Sequence, residues 1–378
     1  MRIFINALSA RLGGGQTYLL NLLKHVPKDL EVYVLTQPTF HLDGLPKNIV
    51  RIEQASLANP LLRALWEEVC LVALLKKLKI DLFFSPGGLL PKSLPSGMLT
   101  AVTFQNMLPF DYVQRVKYPF GYRRLRDWLL KQGLSTSMRQ ADLVIFISEF
   151  AKKYIQRELG LLPGRSVVVP HGIHQSFRAD ANLPLPRPDW VPKCDYFLYV
   201  SWIDHYKAQL ELVRGFNLYY QRGGKEKLLF VGAEYSPYAD LVRQEIVNLG
   251  LLESVKLIGN VPHEELPAAY QNARINIFAS FTENCPNILL EMMASGRPAL
   301  VSNYGPMPEF GRDAVEYFDS ASPEAFAMQL SKLADDNTLQ SHLANAATKE
   351  AEKYTWEHAA QLTWNAIKNI KGNGGYVC

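Results

Sequence analysis

The chain reads as an α/β protein made of two doubly wound, parallel-sheet domains. Three observations predict this. Short apolar runs alternate with helical patterns along the chain, the order that builds parallel sheets. The 378 residues are too many for one ordinary core. A stretch carrying Pro184, Pro186, Pro188 and Pro192 lies near the middle and reads as a boundary. The expected parts are an N-terminal domain over 1–182, a linker over 183–194, a second domain over 195–355, and a last helix and tail over 356–378.

Composition narrows the function classes. Hydrophobic content of 48% and charged content of 20% are ordinary for a globular protein. The longest apolar run, Val69 to Leu75, falls far short of the roughly 18 residues that a membrane span needs. The apolar run at the start, in MRIFINALSARLGGG, is too short for a signal peptide. Cys70, Cys194, Cys285 and Cys378 are scattered, which argues against a disulfide framework or zinc knuckle and for a reducing compartment. The net charge of +4 hides an asymmetry: residues 1–190 hold 24 Lys and Arg against 14 Asp and Glu, and the rest hold 16 against 22. The basic first half suits an anionic partner: a membrane surface, a lipid diphosphate or a nucleic acid.

In the first half, Arg2 to Ala7 is expected as a strand, Ser9 to Gly15 as a loop and Gln16 to His25 as a helix. Gly14 and Gly15 let backbone approach a ligand, and the helix start can receive an anion. A flexible turn is the plain alternative, and the dinucleotide fingerprint is not matched. Strands follow at Glu31 to Thr36, Val50 to Glu53, Asp81 to Ser85, Leu99 to Phe104, Asp142 to Ser148 and Val167 to Val169. A helix is expected over Leu61 to Leu78. Gln105 and Asn106 end a strand, where ligands of such sheets collect. Residues 115–131 interleave Arg115, Lys117, Arg123, Arg124, Arg126 and Lys131 with Tyr118, Phe120, Tyr122 and Trp128. That pattern suits an anionic headgroup layer or, equally, a helix with a solvated basic face. No nucleic-acid module accompanies it. His171 and His174 lack the further ligands of a metal site.

In the second half, Tyr196 to Ser201 is expected as a strand running through Trp202 to Lys207 into a helix over Gln209 to Tyr220. A lysine at a strand–helix junction is placed to meet a phosphate. Leu228 to Val231 ends at Gly232, and Val255 to Leu257 precedes Asn260 and Val261. Helices are expected over Pro323 to Leu333, Leu339 to Glu352 and Tyr354 to Ile370, with a loose tail over 371–378.

The most informative stretch is Ile275 to Glu309. A short strand, Ile275 to Phe278, leads through a polar turn to a helix that Pro286 opens at its first position, with Asn284 or Cys285 as cap. The helix ends near Gly296. Its first N–H groups form an anion cradle over Asn284, Cys285, Pro286, Asn287 and Ile288. Glu283 stands in the turn, and Glu291 lies about 7.5 Å along the axis from Pro286. An anion cradle beside two hydroxyl-accepting carboxylates fits a nucleotide-sugar; two solvated surface glutamates are the plain alternative. Glu291 sits among Ile288, Leu289, Leu290, Met292 and Met293, so it is expected in a buried helix and in need of a partner.

Glu283-Asn284-Cys285-Pro286-Asn287 with Glu291, then Ala294-Ser295-Gly296 with Pro298, then Asn303-Tyr304-Gly305-Pro306, resemble the donor-site signature of family 4 of the retaining glycosyltransferases. The likeness is especially close to members that build bacterial lipopolysaccharide and surface polysaccharide. It covers nearly the whole chain. It implies the GT-B fold, two Rossmann-like domains facing across a cleft, with the last helix crossing back to the first domain. It implies transfer of a hexose or deoxyhexose from a nucleoside-diphosphate sugar to a glycan or lipid-linked acceptor, without a metal or other cofactor, by a cytoplasmic enzyme that can lie on the inner face of the plasma membrane.

Carried over residue by residue, Lys207 holds the diphosphate, Glu283 the transferred sugar and Glu291 the ribose. Gly14, Gly15 and Gly232 line the donor, Asn260 and Val261 meet the base, and Gln105 and Asn106 meet sugar or acceptor. The chain departs from the pattern twice. Glutamine replaces a histidine near Gln105, and Trp202 or Ser201 stands where relatives pair an arginine with the lysine. Two other readings therefore stay open, a non-catalytic nucleotide- or glycan-binding subunit and a nucleotide-sugar epimerase. A nicotinamide dehydrogenase is disfavoured by the missing fingerprint.

Overall fold

Runs of Val, Ile, Leu and Phe too short for a helix set the strands, as expected where a parallel sheet is covered on both faces. The computed structural model describes residues 1–8, 14–36, 44–53, 66–67, 69–180 and 183–370. The loop before the first helix, most of the N-terminal part of the helix expected over 61–78, and the tail 371–378 lie outside these residues.

Contacts divide the chain into two units: 1–110, 125–172 and 356–378 form one, and 111–124 and 173–355 the other. In the first, β1 (Arg2–Asn6), β2 (Glu31–Thr36), β3 (Ile49–Glu53), β4 (Leu82–Ser85), β5 (Leu99–Phe104), β6 (Leu143–Phe146) and β7 (Arg165–Val168) make a parallel sheet in the order β3-β2-β1-β4-β5-β6-β7. Strand alternation sends Ile3 and Ile5 to one face and Phe4 to the other. Ile3 and Ile5 meet α1 (Gly14–Lys24) through Tyr18 and Leu19, while Phe4 meets α2 (Leu71–Lys77) through Leu71 and Leu75. The first face is completed by α13 (Trp356–Lys368), whose Trp356, Ala360 and Trp364 join the same cluster. The Trp364 indole N–H donates to the Leu22 carbonyl at 3.1 Å, so the last helix is specified by a polar contact as well as by burial.

In the second unit, β8 (Tyr196–Val200), β9 (Lys227–Val231), β10 (Val255–Gly259), β11 (Ile275–Phe278), β12 (Ala299–Ser302) and β13 (Glu316–Phe318) form a parallel sheet in the order β10-β9-β8-β11-β12-β13. Chain order reverses between β8 and β11. That switch point is where open sheets of this kind bind ligands.

Two boundaries differ from expectation. The proline-rich stretch does not stand free between the units. The Trp190 indole donates to Glu265 at 2.6 Å, and the Asn272 amide donates to the Leu185 carbonyl at 3.1 Å. Proline brings no N–H to satisfy, so a stiff segment can lie along a surface held by its few other groups. The second difference is that 111–124, from the N-terminal half, belongs to the second unit. It comprises the short helix α3 (Tyr112–Arg115) and the first turn of α4 (Tyr122–Gln140). Among the described residues, no helix is long and apolar enough to cross a membrane.

Candidate functional site

The site grows from the loops after β8 and β11, on either side of the switch point. Past β8, Asp204 caps the single turn His205–Lys207 by accepting the His205 N–H at 2.7 Å. The Lys207 N–H donates to the Asp204 carbonyl, and the Lys207 carbonyl accepts the Tyr199 hydroxyl at 2.9 Å. With both backbone groups held, the side chain has one course. It is 5% exposed, its ammonium donates to the Glu283 carboxylate, and the Tyr206 and Phe278 rings flank it at 5.0 and 5.2 Å. Burial works against the charge, but Glu283 and the neighbouring tyrosines outweigh it and hold the lysine pKa above its usual value. Lys207 is therefore a fixed cation at physiological pH.

Past β11, the two loops are tied together. The Phe281 N–H donates to the Tyr206 carbonyl at 2.8 Å, and the Ser280 hydroxyl reaches the same oxygen. Pro286 is the cap of α9 (Asn287–Ala294), not its first helical residue. Its φ of −81° and ψ of 76° place it at the centre of an inverse γ-turn, in which the Asn287 N–H donates to the Cys285 carbonyl at 2.9 Å. The proline ring fixes φ, and the tight turn then fills the capping position that a side chain of Asn284 or Cys285 was expected to fill. Leu290 makes the first intrahelical bond, to the Pro286 carbonyl. The Ile288 and Leu289 amides lie in the first turn of the helix, at the C-terminal end of the sheet, where no intrahelical acceptor precedes them. After the helix, Gly296 takes φ +72°, and a side chain there would press on Ala179.

Leu289, Leu290, Met292 and Met293 are buried, and Glu291 is partly exposed beside them. Among the described residues its carboxylate receives a long contact from the Tyr270 hydroxyl, 3.5 Å. Burial pushes its pKa up to about 8, against the Tyr270 contact, which pulls it down. Such a carboxyl gains from a ligand that brings hydroxyl donors.

Gly232 closes a third side. A side chain there would meet the Ser201 carbonyl at 2.1 Å, and φ is +143°. Its N–H donates to the Gly259 carbonyl, so the ends of β8, β9 and β10 converge on it. Asn260, exposed, and Val261 follow at the end of β10.

The four remaining sequence-derived candidates belong to the first unit. Gly14 and Gly15 begin α1. The Gln105 amide donates to the Pro86 carbonyl at 3.0 Å, and the Asn106 side chain accepts the Leu108 N–H at 3.2 Å, so both polar groups help shape their own loops. His171 stacks between the Tyr18 and Trp356 rings, and His174 caps the turn Gln175–Phe177.

Sequence reasoning missed a cluster that 111–124 brings to the second unit. The Tyr118 hydroxyl donates to one Asp204 oxygen at 2.7 Å, and the Arg123 guanidinium donates to the other at 2.8 Å. That guanidinium lies 3.7 Å over the Tyr118 ring and 4.6 Å over that of Tyr235. His205 packs against Tyr118 and Tyr238, and burial lowers its pKa, favouring the neutral imidazole. Lys117 lies over Phe281, with its ammonium 4.2 Å from the ring centre. The basic stretch read as a headgroup-binding or solvated surface is thus partly internal to this site. Its visible signal was the interleaving of aromatics with cations, since no spacing predicts a contact across more than 80 residues. Trp202 is 60% exposed, and its carbonyl is held by the Gln209 amide.

Residues 12–177 match the family described as Glycosyltransferase Family 4, and residues 187–350 match Glycosyl transferases group 1. The chain is similar to O-antigen chain mannosyltransferase B of Escherichia coli, 25% identical over 243 residues, which are 63% of this chain and 64% of that one. It spans less than two thirds of the length of the curated relatives it matches first. Among solved structures, WaaG, a glycosyltransferase involved in lipopolysaccharide biosynthesis, superposes with a TM-score of 0.71 at 15% identity over 99% of this chain and all of that one. Anabaena HepE in complex with UDP and glucose gives 0.71 at 15% identity over 97% and 99%. At these identities the structures establish the fold. With both halves of the chain matched, the protein belongs to the glycosyltransferases of group 1 and family 4 and has the two-sheet architecture of the GT-B fold.

Proposed function

We propose that the chain is a retaining, metal-independent glycosyltransferase. It moves a hexose or deoxyhexose from a nucleoside-diphosphate sugar to a glycan or lipid-linked acceptor in bacterial surface polysaccharide or lipopolysaccharide synthesis. The observation that carries this reading is the placement of Lys207 and Glu283 on opposite sides of the β8–β11 switch point, joined by an ion pair, with Glu291 one helix turn beyond.

In this reading Lys207 and the first amides of α9 take the charge that develops on the departing diphosphate. Glu283 accepts hydroxyls of the transferred sugar, and Glu291 accepts the ribose diol. Gly232 keeps the backbone close to the donor, and Asn260 and Val261 meet the base. Gln105 and Asn106 meet sugar or acceptor, and Gly14 and Gly15 line the donor. The bond from the anomeric carbon to the phosphate oxygen breaks. The acceptor oxygen bonds to that carbon on the same face, and its proton passes to the diphosphate. The work is expected in the cytoplasm, at the inner face of the plasma membrane. Phe120, 91% exposed, and the exposed Tyr122, Leu125, Trp128 and Leu129 support contact with the headgroup layer.

A second reading, a binding subunit without turnover, is favoured by the family's missing arginine, where Trp202 or Ser201 stands, and by Gln105 in place of the histidine. Calorimetric titration with UDP, GDP, dTDP and ADP, repeated with Glu291→Ala, tests the donor site. Binding of one nucleotide that the variant loses supports it, and binding of none sinks it. Release of nucleoside diphosphate only when a lipid-linked glycan is added separates transfer from binding, and conversion of the donor alone marks an epimerase.

A further inference from the structure

The cations around the donor loop are unequally matched. Lys207 is paired with Glu283, and Arg123 with Asp204. Lys117 has no carboxylate at ion-pair distance among the described residues; its ammonium rests on the Phe281 ring. Phe281 is two residues before Glu283, and its N–H is bonded to the Tyr206 carbonyl, next to Lys207. The charge of Lys117 also acts on His205, which places it within electrostatic reach of the turn that carries Lys207.

The backbone beside Lys117 is anchored. Tyr118 is buried, and Asp204 holds both its hydroxyl and the Arg123 guanidinium. Loss of water against the ring lowers the lysine pKa, opposed by the more distant Glu211 and Asp111. A cation held on a ring with no carboxylate at ion-pair distance among the described residues gains from an arriving phosphate.

We propose that Lys117, carried in by the 111–124 segment, binds the donor diphosphate as the second cation of the site. This rests on the nucleotide-sugar reading above and adds a phosphate-binding residue to it.

The test uses the full chain and the four nucleoside diphosphates, titrated against wild type, Lys117→Met and Lys117→Arg at low and high salt. Lys117 is exposed, so neither substitution removes core packing. The expected result is that Lys117→Met weakens the bound diphosphate by about tenfold or more, as one charge-assisted contact is worth. Lys117→Arg retains most of the affinity, and the difference shrinks at high salt. Equal affinity of wild type and Lys117→Met, a loss that salt does not change, or an equal loss in Lys117→Arg overturns the assignment while leaving the donor site standing. Failure of wild type to bind any of the four removes the nucleotide-sugar reading itself.

Discussion

The Lys207 ammonium donates to the Glu283 carboxylate between the loops that follow β8 and β11, with the lysine almost fully buried and the glutamate slightly open. The pair ties the loops after β8 and β11 into one charge-balanced unit. In the proposed reading, an arriving donor offers each partner a substitute, phosphate for the lysine and hydroxyls for the glutamate.

Removing one partner separates stability from binding. Glu283→Ala leaves a buried ammonium without its counter-charge, and thermal or urea unfolding should report a loss of about 2–4 kcal/mol. Lys207→Met leaves the more exposed partner, so the stability loss should be smaller, while transfer falls by about a hundredfold or more because the leaving group loses its fixed cation. Equal stability losses in the two variants would contradict the burial asymmetry.

Glu291 should make nucleotide binding release a proton. Its carboxyl is raised to about 8 by burial in the free protein, and a ribose diol donates best to the ionised form. Binding then lowers the pKa, protons leave near neutral pH, and affinity climbs as pH rises toward 8. Titration in buffers of different ionisation enthalpy measures the release, and Glu291→Gln should abolish it. Stability carries the opposite slope. Between the ordinary value of 4.5 and about 8, the folded chain holds a proton that the unfolded chain has lost, so this group's contribution falls as pH rises. Glu291→Gln should flatten that part of the profile.

Asp204 holds the 111–124 segment. Asp204→Ala strands the buried Tyr118 hydroxyl and the Arg123 guanidinium and should cost about 2–4 kcal/mol, with Asp204→Asn less damaging because it keeps an acceptor. Chymotrypsin should then cut at Phe120 or Tyr122 faster than in wild type. Unchanged cleavage would mean that packing alone holds the segment.

Gly232→Ala should disturb the meeting of three strand ends. The added methyl falls 2.1 Å from the Ser201 carbonyl at a φ of +143°, so a loss of about 2 kcal/mol or more is expected, together with weaker nucleotide binding. Gly97→Ala, also at positive φ but with open space around it, is the control for backbone strain without the clash.

Much of this protein is local information. Glu31–Thr36, Leu99–Phe104 and Ile275–Phe278 are legible because a strand buried on both faces reads as a short, mostly apolar run rich in β-branched and aromatic residues. The donor stretch is legible for the same reason: a strand, a turn, a proline and a helix fall within twenty residues, and the carboxylates are placed by helical rise. Several elements went unread, among them the short helices Tyr112–Arg115 and Met307–Gly311. β13 (Glu316–Phe318) is too short to show a period, and α7 (Ser236–Asn248) has its signal, Tyr238, Val242 and Ile246 four residues apart, scattered among polar residues. The capping role of Pro286 depends on dihedral angles that sequence leaves open.

What only the tertiary structure decided lies between distant parts of the chain. Sequence alone determined two Rossmann-like sheets, the glutamates of the donor loop and a lysine at a strand–helix junction. It could not tell that Lys207 meets Glu283 rather than solvent, or that Tyr118 and Arg123 close on Asp204 more than 80 residues away. Nor could it show that part of a basic, aromatic stretch turns inward to place Lys117 over Phe281. Periodicity records which face of an element is buried. The partner that covers that face is chosen by packing and charge across the whole unit, and no local spacing carries it.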